Sequence, residues 1–159
     1  MLKMKSVDRR KAAEQYFTAG YNCTQSILMT FRDLLPEGSD ILLRAGSPLG
    51  GGMGRLREVC GSVTGMFLIL GALVGYDTPE TGERKTELYR QVQELADRFE
   101  KRYGSIVCRD LLGLNAGHDS PIPEARTEAY YQKRPCKEII GTAAEILSEY
   151  LCENETEQD

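Results

Sequence analysis

From Val59 to Tyr76 the chain reads VCGSVTGMFLILGALVGY, without a single charge. That is nearly the length of a membrane span. The stretch also holds Gly61, Gly65, Gly71 and Gly75, two G-x-x-x-G pairs that let helices approach closely. The flanking chain is polar, with 28% charged residues overall and no second apolar run. A helix that is apolar all round, set in such a chain, is predicted to be the buried centre of a bundle and not a membrane span.

The other segments read as its neighbours. Residues 6–19 offer Ser6 as a cap and Ala12, Ala13, Tyr16 and Phe17 on one face. Gly20 ends that helix, and Asn22 caps a second running from Cys23 to about Leu35. After the Pro36–Gly38 turn, a short apolar piece at Ile41–Leu43 leads into a glycine loop at 46–54. The central helix is expected over 55–75, and an amphipathic helix over 79–103 with Leu88, Val92, Leu95, Ala96 and Phe99 as its stripe. Ser105 starts a shorter helix that Gly113 ends, and residues 114–133 are rich in turn formers. Pro135 opens the last helix, which is expected to reach about Leu151. No alternating strand pattern stands out. The expectation is an all-α, single-domain helical bundle of about five or six helices around the glycine-rich one, spanning 1–152, with 153–159 an acidic disordered tail. A chain of 159 residues can bury such a core without metal or disulfide staples.

The net charge of −4 and the lack of a basic stripe argue against a nucleic-acid partner. The N-terminus, MLKMKSVDRRKAAEQ, lacks the apolar core of a signal peptide, so a cytoplasmic location is expected. A stable structural disulfide is unexpected there, and the five cysteines need another account. No C-x-x-C occurs, which removes the common zinc-knuckle and thioredoxin-type readings.

Four of the cysteines share a setting. Cys23, Cys60, Cys108 and Cys136 each fall near the start of an expected helix and each heads an apolar stripe. All four should therefore point inward from helix N-terminal ends, where the positive end of the helix dipole favours thiolate, the nucleophilic and metal-binding form. Nearby cations add to this: Lys133, Arg134 and Lys137 beside Cys136, Arg109 beside Cys108, and Arg55 and Arg57 beside Cys60. Cys60 or Cys136 is the favoured attacking thiol, the first for the glycine loop before it and the second for its cations. Cys152, sixteen residues beyond Cys136, lies about 160° round the helix and faces away. The run GGGMG (Gly50 to Gly54) is read first as a tight turn against a neighbouring helix, because the G-x-x-x-x-G-K-[ST] phosphate loop is absent, with anion binding by the loop, Arg55 and Arg57 as the lesser alternative. His118, the one histidine, sits in a turn-rich loop and is a weak candidate for a Cys/His pair.

The order of these cysteines, with C-G-S-V-T-G from Cys60 to Gly65 as the second, resembles the C_GCAxxG_C_C family of redox-active proteins. Cys23, Cys60, Cys108 and Cys136 match its four cysteines, and Gly61 and Gly65 match its glycines over about residues 8–150. Ser62 stands where the family pattern has alanine, a change that keeps the position small and adds a hydroxyl able to bond sulfur. The resemblance implies thiol-based redox chemistry with an unidentified redox partner. Relatives found in a cytochrome context, where the cysteines accompany an iron–sulfur cluster, imply an alternative in which the same four bind such a cluster or zinc. Family members encoded beside transporter genes imply a functional link to a membrane transporter.

Two functions are thus expected: thiol–disulfide exchange by Cys23, Cys60, Cys108 and Cys136 with Gly61, Ser62 and Gly65 around them, or metal binding by those cysteines. A third is a helical interaction protein with inert cysteines, whose G-x-x-x-G pairs and 79–103 helix would suit a homodimer seam.

Overall fold

A computed structural model describes residues 6–79, 82–115 and 118–156. The described residues are helical in the main, with no strand beyond one isolated antiparallel bridge between Val59 and Val107. The helices are α1 (Ser6–Thr18), α2 (Cys23–Thr30), α3 (Asp40–Gly46), α4 (Gly61–Val74), α5 (Glu83–Tyr103), α6 (Cys108–Leu111), α7 (Glu128–Lys133) and α8 (Cys136–Thr156). Short 3₁₀ turns occupy Arg32–Leu34 and Ser47–Leu49. The all-α bundle expected from the sequence is the fold found, with more and shorter helices than expected.

The apolar stretch forms α4 and runs through the middle, packing on α2, α5 and α8. Its first turns, from Gly61 to Met66, are sealed from water, Ser62 and Thr64 included; Phe67 and Leu68 are half-buried, and the helix is exposed at Gly71 and Val74. Among the described residues no helix is long and apolar enough to cross a membrane. The longest pairing is α1 against α8, where Ala13 and Phe17 meet the Ile139, Ile140, Ala143 and Leu147 face in one continuous core. In α5 the expected stripe is the buried one: Leu95 and Phe99 are fully enclosed and Leu88 and Val92 partly so. Its outer faces carry Arg90 between Glu87 and Glu94.

Local chemistry explains where the boundaries differ. Asn22 caps α2 as expected, in a reciprocal box: its side chain accepts from the Gln25 N–H at 2.9 Å and its own N–H donates to Gln25 Oε1. The helix stops at Thr30, five residues early, where Arg9 of α1 intrudes. Arg9 is fully buried, donates to the Thr30 carbonyl and to the Asp33 carboxylate, and stacks over Phe31 at 4.8 Å. The central helix starts at Gly61 and not at 55, because the residues before it are tied into the bridge. Residues expected as loop form α7, capped by the Thr127 hydroxyl on the Tyr130 N–H. The last helix continues past Leu151 to Thr156, held by the Arg98–Glu153 ion pair and by Asn154 donating to the Tyr150 carbonyl. It takes in the start of the acidic segment, and residues 157–159 lie outside the described residues.

The two G-x-x-x-G pairs have different fates. A methyl group at Gly65 would stand 2.8 Å from Ile27 Cβ, and one at Gly61 would stand 2.9 Å from Cys23 Cβ and 2.8 Å from Thr24 Oγ1. This first pair is thus consumed inside the chain, where α4 crosses α2. At Gly71 a methyl group would meet nothing. Gly65→Ala is expected to cost about 1–3 kcal/mol through overpacking. Gly71→Ala, in an exposed helix interior, is expected to gain up to about 1 kcal/mol from propensity. Urea unfolding of both variants checks the contrast; equal effects would contradict the crossing described.

Candidate functional site

The site begins with the glycine run. From Gly51 to Arg55 five consecutive residues have φ between 63° and 69°, a left-handed turn, and Arg57 follows at 61°. Non-glycine residues pay roughly 1–2 kcal/mol for this conformation, so the strain falls on Met53, Arg55 and Arg57. Backbone bonds hold it: Gly54 N–H to Gly50 O at 2.9 Å, Glu58 N–H to Gly52 O at 3.0 Å, and Asp119 N–H to Arg55 O at 2.9 Å. Gly52 is required twice over, since a side chain there would be both left-handed and 2.6 Å from Cys108 Cβ. The tight-turn reading of GGGMG is the one found: Gly50 lies against the Asn22 side chain and Gly52 against Cys108.

The turn delivers the chain to the bridge. Cys60 N–H donates to Ile106 O at 2.8 Å and Cys108 N–H donates to Glu58 O at 2.6 Å. Two short extended segments thereby run antiparallel, and each then enters a helix at its cysteine. Cys60 is the N-cap of α4, while Cys23, Cys108 and Cys136 are the first residues of α2, α6 and α8. All four cysteines are thiols, and together they line one apolar cavity of about 20 Å³ with Gly61, Leu111, Leu112, Ile139 and Ile140. Cys60 and Cys108 are each only 7% exposed; Cys23 and Cys136 are half-buried. Cys152 is exposed and lines neither this cavity nor the cleft described next.

Above the thiols lies a wider cleft of about 300 Å³. Cys23, Cys108 and Cys136 line both spaces, whereas Cys60 lines only the inner one. The glycine turn forms one wall of the cleft and the segment from Pro121 to Arg134 forms another. Arg57 is 3% exposed and places Nη1 3.6 Å from Cys108 Sγ, while its Nε donates to Asp119 Oδ2 at 2.7 Å. Burial works against its charge, but the bonds to Cys108 and Asp119 keep its pKa above the usual range. Cys60 has the Ser62 hydroxyl 3.0 Å from its sulfur, the bond that the hydroxyl made possible.

The expected acidity of the thiols is not what their surroundings produce. Burial pushes the Cys60 thiol up to about 12, charge on Cys23 adds to the rise, and the Ser62 hydrogen bond opposes it. Burial also pushes Cys136 well up, with charge on Cys23, Cys60 and Cys108 adding and Arg134 opposing. Cys108 is raised by burial as well, against its bonds and charge interaction with Arg57. A helix N-terminus supplies about 0.3–2 kcal/mol, too little to offset removal of the thiolate from water. Cys60 and Cys136, the thiols favoured as attackers, are accordingly poor candidates for that part.

The flanking cations are also redistributed. Arg57 serves Cys108 and not Cys60, and of the three beside Cys136 only Arg134 lines the cleft. Exposed His118 lines neither space. The sequence reading missed Asp119, which orients Arg57, and Arg126 and Tyr130 in the cleft wall; the visible signal was the pair Pro121 and Pro123, which stiffens a segment otherwise read as loose loop.

Among the described residues no group of three or more His, Cys, Asp or Glu side chains is disposed to hold a metal ion. The space between the four thiols is about that of one water molecule, too small for a cluster of iron and sulfide. In this arrangement the space lined by Cys23, Cys60, Cys108 and Cys136 does not fit an iron–sulfur cluster.

Two outcomes follow for the thiols. With a folded pKa near 12 against an ordinary value of 9.0, Cys60 stays protonated in the fold while it ionises in the unfolded chain. Stability is therefore expected to be unaffected by this thiol below about pH 8 and to fall as pH rises from about 9 towards 12, as read by denaturant unfolding. Alkylation at pH 8, resolved by mass spectrometry, is expected to modify Cys152 first and Cys60 last.

Residues 21–150, more than half of the chain, match the model of the family described as "Putative redox-active protein (C_GCAxxG_C_C)". Comparisons with curated proteins and with solved structures found no match.

Proposed function

The chain belongs to the C_GCAxxG_C_C family, and on that premise we propose that it carries out thiol–disulfide exchange with Cys23 as the entering thiol. The supporting observation is that four thiols from four separate helix starts line one small cavity. Cys23 is half-buried, opens to the cleft and to the inner cavity, and heads α2. Charge on it bears on Cys60, Cys108 and Cys136 alike, and all three line the inner cavity with it, so the resolving thiol is one of these.

The Cys23 thiol gives up its proton and its sulfur attacks one sulfur of a disulfide RS–SR. The RS–SR bond breaks as Cys23–S–SR forms, and the departing RS⁻ takes a proton. A second cysteine then loses its proton and attacks Cys23 Sγ, releasing a second RSH and leaving an internal disulfide. Two electrons pass from protein to substrate, and two equivalents of a reductant thiol, leaving as their own disulfide, return them. The cytoplasm, with its thiol pool, would be the matching compartment.

In this proposal the remaining residues have supporting parts. Gly61 lets Cys23 reach α4. Ser62 supplies the polar contact to the deepest thiol. Gly65 carries the crossing one turn further.

Counting titratable thiols after mild oxidation and again after reduction tests the proposal. The expected result is a reversible loss of two or four thiols, retained in Cys152→Ser and lost or slowed at least about tenfold in Cys23→Ser. Loss confined to Cys152, or full reactivity in Cys23→Ser, would overturn it.

A further inference from the structure

We propose that the cleft above the cysteines is an anion-binding site, and that it selects disulfide substrates bearing carboxylates. The selection rests on the exchange reaction proposed above; the anion site does not.

The chain as a whole is acidic, with a net charge of −4. Its cleft is the reverse. Arg55, Arg57, Arg126 and Arg134 line it, with Glu124 as the sole acidic lining residue. Existing partners do not neutralise this set. Asp119 is shared, 2.7 Å from Arg57 and 3.7 Å from Arg55, and Glu124 pairs with Arg134. Arg126 has no carboxylate partner among the described residues. Its guanidinium lies 4.3 Å over the Phe17 ring and 5.1 Å over Tyr130, and donates to the carbonyls of Phe17 and Tyr21 at 3.3 and 3.4 Å. Four guanidinium groups thus share two carboxylates.

Arg57 adds an independent sign. It is almost wholly buried, yet its Nη2 has no hydrogen-bond acceptor. An unmet buried donor is costly, and a small turn of the guanidinium would present it to an acceptor held in the cleft that Arg57 lines. Support of thiolates does not account for the whole set, because no hydrogen bond from Arg55 or Arg126 reaches a sulfur. Guanidinium groups present paired N–H donors that match a carboxylate, and the cleft volume is that of a small-molecule site. Since Arg57 Nη1 lies 3.6 Å from Cys108 Sγ, a carboxylate held by the arginines brings the rest of its molecule over the thiols.

Three aliphatic disulfides of similar size separate the alternatives: dithiodipropionate, a dianion; hydroxyethyl disulfide, neutral; and cystamine, a dication. With the reduced full chain, the dianion is expected to oxidise the thiols at least about tenfold faster than the neutral compound, with cystamine slowest. The preference should shrink as salt is raised. Arg126→Gln and, separately, Arg55→Gln should slow the dianion several-fold more than the neutral compound, narrowing the preference between them. Arg126→Lys, which keeps the charge, guards against a folding defect. Equal rates for the three disulfides, or a preference that survives both glutamine variants, would overturn selection by charge.

Suberate, the dianion with its two sulfurs replaced by methylene groups, tests the anion site without redox chemistry. It is expected to raise Tm and to protect Cys23, Cys108 and Cys136 from alkylation in the native chain, and to do neither in Arg126→Gln. Failure of suberate to do either would overturn the anion site whatever the disulfides do. Inertness towards all three disulfides, with suberate still protecting, would overturn the exchange reaction and with it the selection, leaving the site.

Discussion

The structure depends on how closely the backbones of α2 and α4 approach one another. At Gly61 and Gly65 no Cβ intervenes, and Thr24 closes the gap by donating its hydroxyl to the Gly61 carbonyl at 2.9 Å and meeting Thr64 Oγ1 at 3.3 Å. Widening this crossing by one methyl group would move Cys23 off the start of α4. Because α4 also packs on α5 and α8, such a shift would propagate into the core that α1 and α8 share. A dry, glycine-lined helix contact therefore sets both the hydrophobic packing and the meeting of the thiols. Interiors packed at crystal-like density cannot absorb such changes locally.

Three layers stand on that contact. Innermost is the small apolar cavity between thiols, with Cys60 at its back. Cys23, Cys108 and Cys136 form a middle layer facing both ways. Outside them the glycine turn and the segment after Asp119 bring guanidinium groups over the sulfurs. Polarity thus rises outward from hydrocarbon through sulfur to charge. The low-dielectric interior keeps the deeper thiols protonated, and any negative charge is best accommodated where the arginines stand.

Much of this was legible in the residues. Period and composition announced the helices: the stripe of α5, the Asn22 cap and the all-round apolar α4 follow from spacing alone, and four cysteines heading four stripes pointed to inward-facing thiols. Their acidity was not legible, because a helix start is visible in a sequence while the depth of burial is not. Equally hidden was the bridge between Val59 and Val107, made by main-chain groups some fifty residues apart with no side-chain signature. The left-handed turn was only half visible: glycines flagged Gly51, Gly52 and Gly54, but nothing marks Met53, Arg55 and Arg57 as residues forced to positive φ by tertiary bonds. The α7 segment, EAYYQK, was masked by the proline-rich stretch before it, and its aromatic residues acquire meaning only when Arg126 lies across them.

The bridge has a broader consequence. Cys60 and Cys108 are positioned through amide and carbonyl groups, the Cys60 N–H on Ile106 O and the Cys108 N–H on Glu58 O, which nearly every amino acid possesses. The backbone register at either position therefore does not depend on which small side chain stands there. Architecture and reactivity are decoupled there: evolution or a designer can exchange the reactive atom while inheriting the frame intact.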